Sequence, residues 1–372
     1  MYSKKESATR RPPTYSAKYS LERGDIVLTF EQLLQPVWDA EIIYDEALTF
    51  VKKEAKAQAP LMFEPAQILS ITSADKTVTY EEGRDYTVDG NLITLTDDSR
   101  MFFFTEEEMI FDTAVPGKCF PTKDGRFSLF SEGHFFHDRQ IAVTYLKKSG
   151  ELSWKPEYAG ALLPRTISKL KNKENVKIVL YGDSISAGAN ASGVMLTTPF
   201  LPTFGALLGE QLRRHYDTSV EVINTAVGGM ATRWGIENAI VRAGDYKPDL
   251  CIIAFGMNDG GARGLNSEQF GSNIAKIKEL ILEASPETEF ILCATTMPNT
   301  ILQGFYGYQD TYYDVLKPME CTGTAIASFY HMQKALLEKK RFIDMTGNNV
   351  NHPNDFMIRC HAALLSSMLI QQ

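Results

Sequence analysis

Ser184 ends an apolar run: Ile178-Val179-Leu180-Tyr181 gives way to Gly182-Asp183-Ser184, and Ser186, Ala187, Gly188 and Ala189 follow. A serine displayed in this way can act as a nucleophile if a base takes its proton, and histidine is the usual base. Three further polar segments supply what acyl transfer then needs. They are Asn224-Thr225-Ala226-Val227-Gly228-Gly229, Gly256-Met257-Asn258-Asp259-Gly260, and Asn348 to Asp355 with His352-Pro353 inside it. A tetrahedral intermediate requires hydrogen-bond donors aimed at its oxyanion. A serine at a helix N-terminus offers its own N–H, a glycine loop offers another with no side chain in the way, and an asparagine amide offers a third. The small residues after Ser184 are expected to leave room for the acyl carbon. Taken alone, Ser184 reads first as a helix cap, Gly228-Gly229 as a tight turn, and Asn258-Asp259 as a cap or an Asx turn. Asp183 is expected to support the nucleophile turn, and Asp259 to be structural.

These residues need elements to hold them. From about residue 174 the pattern alternates. Strand candidates are Val176–Tyr181, Val220–Val227, Leu250–Phe255, Phe290–Thr295 and Arg341–Met345, several of them continuously apolar. Phe204, Leu207, Leu208 and Leu212 recur at helical spacing, as do Phe270, Ile274, Ile277 and Ile281, with Asn266 or Ser267 placed to cap the second helix. This pattern predicts a parallel five-stranded sheet with helices on both faces, and ligands bind such sheets at the carboxyl ends of the strands.

Before it, residues 21–155 read as a β-sandwich, jelly-roll-like in kind. Ile26–Phe30, Thr77–Tyr80, Met101–Phe104 and Ile141–Leu146 are strand candidates. Asp89-Gly90 joins Tyr86–Val88 to Leu92–Leu95 as a hairpin. Leu48–Ala57 reads as a short helix. Residues 1–20 read as a loose tail, and 151–173, with Pro156, Gly160 and Pro164, as the boundary to a domain at 174–372.

With the motifs placed, Gly182-Asp183-Ser184, Gly229, Gly256-x-Asn258-Asp259 and His352-Pro353 resemble, in order, the four blocks of the SGNH (GDSL) hydrolase superfamily. The resemblance covers about residues 174–372 and implies a flavodoxin-like α/β/α domain. It implies Ser184 as nucleophile and His352 as base, with the Ser184 N–H, the Gly229 N–H and the Asn258 amide as the oxyanion hole. The chain departs from the family where an aspartate usually precedes the histidine by three residues, because Asn349 stands there. Asn349, a backbone carbonyl near 349–350, or a carboxylate from Asp355 or Asp344 are the candidates for orienting His352. A β-sandwich ahead of such a domain is similar to the layout of some carbohydrate esterases. The expected function is therefore hydrolysis of a short-chain, O-acetyl ester on a small-molecule or oligosaccharide substrate through an acyl-enzyme. A lipid-type acylhydrolase or thioesterase is the alternative enzyme reading. A non-catalytic carbohydrate-binding protein is the alternative outside enzymes, with Asn349 as its support.

Composition narrows the field. A net charge of −8 disfavours nucleic acid and anionic membranes as partners. The first residues lack the apolar stretch of a signal peptide, and the five widely spaced cysteines fit reduced thiols, so a cytoplasmic location is expected. A homo-oligomer is compatible with the sequence. No cofactor is expected, since neither a Gly-Lys-Ser/Thr phosphate loop nor a dinucleotide fingerprint is present. No metal is expected either, because His134-Phe135-Phe136-His137-Asp138 lacks a matching second ligand pair. His361 reads as an ordinary packed or solvated histidine, and Trp234 as core packing where a helix starts or as a pocket wall. Phe305-Tyr306-Gly307-Tyr308 and Tyr312-Tyr313 read either as a long loop able to stack on a sugar or close over the serine, or as a locally packed surface loop.

Overall fold

The computed structural model describes residues 28–261 and 264–371. Its centre is a parallel sheet of five strands: β1 (Val176–Gly182), β2 (Val220–Asn224), β3 (Leu250–Ala254), β4 (Glu289–Ala294) and β5 (Thr324–Ser328), in the order β2-β1-β3-β4-β5. Side chains alternate along each strand, so each strand feeds two cores. Ile178 and Leu180 of β1, with Ile252 of β3 and Ile291 of β4, face one core. Val179, Tyr181, Ile253 and Leu292 face the other. The helices Phe204–Tyr216 and Asp355–Leu369 cover the first face; Thr232–Arg242 and Ser267–Ala284 cover the second. The result is the expected flavodoxin-like three-layer arrangement. Asn266 caps Ser267–Ala284 in a reciprocal box with Gln269.

The fifth strand is not where the sequence pointed. Arg341–Met345 holds a short 3-10 turn, Phe342–Asp344. Its polar ends are drawn to the N-terminal region: Asp344 Oδ1 accepts the Thr49 N–H at 2.7 Å, and Arg341 donates to Asp344 and to the Thr49 carbonyl. The edge position goes instead to Thr324-Ala325-Ile326-Ala327-Ser328, which pairs with β4 from Phe290↔Thr324 to Ala294↔Ser328.

The N-terminal region is β-rich. Tyr86–Asp89, Leu92–Leu95, Lys56–Pro60, Phe50–Lys53 and Phe103–Thr105 form one sheet in that order; Ile42–Leu48, Ile141–Lys147 and Pro65–Ser73 form a second. A third, small sheet joins Ile110–Phe111, Phe127–Leu129 and Cys119–Pro121. The Asp89-Gly90 hairpin forms as expected, with Gly90 at φ +57°. The helix expected over Leu48–Ala57 is instead a hairpin, Val51 pairing with Gln58 and Lys53 with Lys56. Thr77–Tyr80 reduces to one bridge, Thr79 to Thr72. Of the strand expected at Ile26–Phe30, residues 26–27 lie outside the described residues, and Phe30 opens a helix, Phe30–Leu33. The tail expected at 1–20 also lies outside them.

The two regions share one interior. The core on the first face of the parallel sheet runs without a break from Leu364 and Phe356 into Ile43, Leu48, Phe50, Ile93 and Val143. At this junction Lys340 Nζ donates to Glu46 at 2.6 Å and to the Ala47 carbonyl at 2.9 Å, with both charged side chains fully buried. The carboxylate is also held by the Met62 N–H and the Tyr145 hydroxyl.

Candidate active site

At the end of β1 the chain turns sharply. Asp183 caps a one-turn helix, Ser184–Ala187, accepting the Ile185 N–H at 3.0 Å. Burial pushes the Asp183 carboxyl up to about 7. As the first residue of that turn, Ser184 has an N–H with no acceptor in a preceding turn of helix. The small residues here serve the turn's packing more than the space beside the serine. A Cβ on Gly182 would meet the Ala254 carbonyl oxygen at 2.3 Å, and one on Gly188 the Thr203 methyl at 2.3 Å. The glycine that opens onto the serine is Gly228, whose Cβ position lies 3.8 Å from Ser184 Cβ.

The loop after β2 is tied to the same place. Val227 N–H donates to the Gly182 carbonyl at 3.0 Å, and Asn224 Nδ2 to the Ser186 carbonyl at 2.7 Å. Gly229 follows at φ +75°. The turn after β3 meets this loop: Asn258 Nδ2 donates to the Met230 carbonyl at 2.9 Å, and Asp259 Oδ1 accepts the Thr232 N–H at 2.9 Å. Asp259 thereby caps Thr232–Arg242 from outside, since Ala231 at its N-cap has no side chain to do so. Ser184, Gly228-Gly229 and Asn258 thus converge on one corner of the sheet. Trp234 packs against Tyr181 and Phe255 in the core.

His352 reaches this corner from the loop before the last helix. Asn348 builds that loop, its Oδ1 accepting the N–H groups of Val350, Asn351 and His352 at 2.9, 3.0 and 3.1 Å. The imidazole is presented with Nε2 2.9 Å from Ser184 Oγ. Its other nitrogen, Nδ1, lies 2.8 Å from Asn190 Oδ1 and 3.3 Å from Glu132 Oε2. Asn190 Nδ2 donates to the Gly133 and Gly347 carbonyls at 2.8 and 3.2 Å, which assigns Oδ1 to the imidazole. Nδ1 therefore carries the proton and donates to Asn190, and Nε2 is left to accept from the Ser184 hydroxyl. Gly347 is required here, because a Cβ on it would sit 2.6 Å from Asn190 Cβ.

None of the orienting groups expected from the sequence contacts the imidazole. Asn349, at φ +62°, turns the other way: Nδ2 donates to Ser128 Oγ and the Leu129 carbonyl, and Oδ1 accepts from Asn299. The carbonyls of Asn349 and Val350 are taken by Asn299. Asp355 opens the last helix and accepts the Ser192 N–H at 2.9 Å; burial raises its carboxyl pKa. Asp344 binds Thr49 and Arg341. The partners that do reach His352, Asn190 and Glu132, stand 162 and 220 residues away in the chain. Asn190 lies six residues after Ser184, directly behind the small residues Ser186 to Ala189. Glu132 carries no spacing signal at all. Burial raises the Glu132 pKa, but the hydrogen bond and charge of His352 and the Asn348 amide outweigh that and hold it below the usual carboxylate range.

Other singled-out residues go elsewhere. His134 pairs with Asp138 at 2.6 Å and His137 Nε2 lies 2.7 Å from the Thr198 carbonyl, so the two imidazoles serve different partners. His361 is packed between Phe329 and Phe204, with neither ring nitrogen hydrogen-bonded. Tyr312 is core, stacked on Phe270 at 3.9 Å. The loop carrying Phe305 is stitched to the small N-terminal sheet: Lys123 N–H donates to the Ile301 carbonyl and Gln303 N–H to that of Pro121. It is tied at one end to the His352 loop by Asn299 and at the other to the Asn258 turn, where Gln309 Nε2 donates to the Met257 carbonyl. Between these ends Phe305 packs edge-to-face on Phe120 of the small N-terminal sheet, which packs in the same way on Phe130, each pair with centroids 4.7 Å apart and all three rings half-buried.

The sequence profile of the GDSL-like lipase/acylhydrolase family matches residues 180–354. An arylesterase of Vibrio mimicus is 30% identical over 141 residues, 37% of this chain and 62% of the relative. A solved two-domain esterase active on acetylated mannans aligns at a TM-score of 0.47 and 17% identity, over 57% of this chain and 53% of that one. An acetylxylan esterase from Geobacillus stearothermophilus aligns at 0.41 and 18% identity, over 51% of this chain and 93% of that one. The chain thus spans less than two thirds of the arylesterase and about half of the two-domain esterase. The segment that runs from the end of β1 to the His352 loop is thus similar to the GDSL-like lipase/acylhydrolase family.

Proposed function

We propose that this protein is a serine esterase that removes a short acyl group, acetyl above all, from a carbohydrate. The observation that carries the reading is the hydrogen-bonded relay in which Ser184 Oγ lies 2.9 Å from His352 Nε2 and His352 Nδ1 lies 2.8 Å from Asn190 Oδ1. In this reading Ser184 attacks the ester carbonyl while Nε2 takes its proton. The oxyanion is received by the N–H groups of Ser184 and Gly229 and by the Asn258 Nδ2 proton not given to Met230. His352 then protonates the leaving alcohol. A water deprotonated by the same nitrogen cleaves the acyl-serine and frees the carboxylate.

Two features support a small acyl group on a sugar. Ser184 is only 8% exposed, which suits a compact acyl group over a long chain. Phe305, on the loop that bridges the Asn258 turn and the His352 loop, clusters with Phe120 and Phe130 at the small N-terminal sheet, and such ring faces stack on the C–H surface of a pyranose. The test is a series of p-nitrophenyl acetate, butyrate and octanoate, followed by acetylated oligosaccharides. Acetate is expected to be cleaved fastest, and acetate to be released from the sugar. Octanoate cleaved fastest would replace this reading with the lipid-type acylhydrolase, and no ester cleaved above the rate of Ser184→Ala would leave the binding protein.

A further inference from the structure

The family's usual aspartate is absent, and the group holding the His352 tautomer, Asn190, is uncharged. The imidazolium formed as Ser184 attacks would then face no negative charge from its own loop. One carboxylate does face it, from the β-rich region. Glu132 Oε2 is 3.3 Å from His352 Nδ1, and Glu132 Oε1 accepts Asn348 Nδ2 at 3.1 Å. The same Asn348 shapes the backbone that carries His352. Glu132 is thus fixed at both oxygens, one to the ring and one to the loop that presents the ring. Its neighbour Gly133 receives Asn190 Nδ2, so the same short segment also aims Asn190.

We propose that Glu132 is a positioning residue for His352, supplying from the N-terminal region the negative charge that Asn349 does not supply, so that the relay is complete only when both regions are folded together. The proposal rests on the serine esterase reading for its catalytic consequence. In acylation one proton moves from Ser184 Oγ to Nε2 and on to the leaving alcohol, and in deacylation one moves from water to Nε2 and on to Ser184 Oγ; Glu132 stays ionised throughout and stabilises the positive ring between these transfers. It is half-exposed, at 51%, so its contribution is a fraction of what a buried carboxylate makes and falls as salt screens it. The Asp183 carboxyl, buried in the serine turn, also interacts with His352, and a change at Glu132 leaves it in place.

The experiment compares wild type, Glu132→Gln, Glu132→Asp and Ser184→Ala by pH–rate profiles on p-nitrophenyl acetate, with an NMR titration of the His352 ring in the resting protein. Removing a negative charge beside the ring makes imidazolium less favourable. For Glu132→Gln the His352 titration and the acidic limb of kcat/KM are therefore expected to move down by about half a pH unit. kcat is expected to fall roughly 10-fold at unchanged KM, and the shift to shrink in 1 M salt. Glu132→Asp should keep most of the limb. A Glu132→Gln protein whose ring titrates as in wild type, or equal losses in both Glu132 variants with no movement of the limb, would reduce Glu132 to a loop tie and overturn the proposal. Ser184→Ala as active as wild type would sink the esterase reading instead, a result the Glu132 variants cannot mimic.

Discussion

At the scale of single residues, the arrangement depends on which way one amide faces. Asn190 spends its two protons on backbone carbonyls, so its oxygen must take the His352 Nδ1 proton, and that leaves Nε2 free to serve Ser184. Asn190→Ala removes the tautomer's anchor while Glu132 still faces the ring. kcat on p-nitrophenyl acetate is expected to fall on the order of 10²-fold, less than the ~10⁴ seen when a buried triad aspartate is neutralised. The stability cost should stay near 1 kcal/mol, for the two carbonyls left without their donor. Steady-state kinetics beside a thermal melt check this, and a kcat within about twofold of wild type would show that Asn190 does not hold the ring. Residues at this scale were half legible. Ser184, Gly229, Asn258 and His352 announce themselves because each needs a distinctive local sequence at a strand end or loop. Asn190 and Glu132 do not, because an amide or carboxylate that orients a histidine can come from any segment that folds beside it.

At the scale of elements, the strands buried on both faces and the long amphipathic helices were readable from continuous apolar runs and helical spacing. β5 was not. Thr324-Ala325-Ile326-Ala327-Ser328 is small and mixed, because as the last strand of the sheet it pairs on one side only, while the more apolar Phe342-Ile343 turn is held by Asp344 and Arg341 to the N-terminal region. The hairpin at Phe50–Pro60 was misread because Lys52, Lys53, Glu54 and Lys56 favour helix locally, and cross-strand pairing overrides that preference. The turn before Ser184 is under tight steric demand. With Gly182 against the Ala254 carbonyl, Gly182→Ala must push β1 from β3 where the two are hydrogen-bonded. A loss of about 1–3 kcal/mol in urea unfolding is expected. Because the strain falls two residues before Ser184, kcat should fall as well. An alanine variant with wild-type stability and activity would mean that the turn is looser than this contact requires.

At the scale of the whole molecule, the shared interior makes the β-rich region part of the fold that carries the site. Glu132 and Gly133 touch the relay, Ser128 and Leu129 hold Asn349, and the Glu46–Lys340 pair locks the junction behind it. The same interior contains His361, whose pKa burial pushes from 6.5 down to about 3. Between those values the unfolded chain binds a proton that the folded one refuses, so stability declines as pH drops through that window. The loss from this group is on the order of 3 kcal/mol by pH 4. His361→Leu should therefore shift the acid unfolding midpoint to lower pH, read by circular dichroism; an unchanged midpoint would contradict a neutral, unpartnered imidazole in the core. All of this converges on one claim, that His352 makes Ser184 a nucleophile. The most direct measurement is intact and peptide mass after reaction with a fluorophosphonate, for wild type, Ser184→Ala and His352→Ala. The account expects a single adduct on the Ser184 peptide in wild type and none in either variant on the same timescale. Labelling of Ser184→Ala at the wild-type rate, or no labelling of wild type, would contradict it.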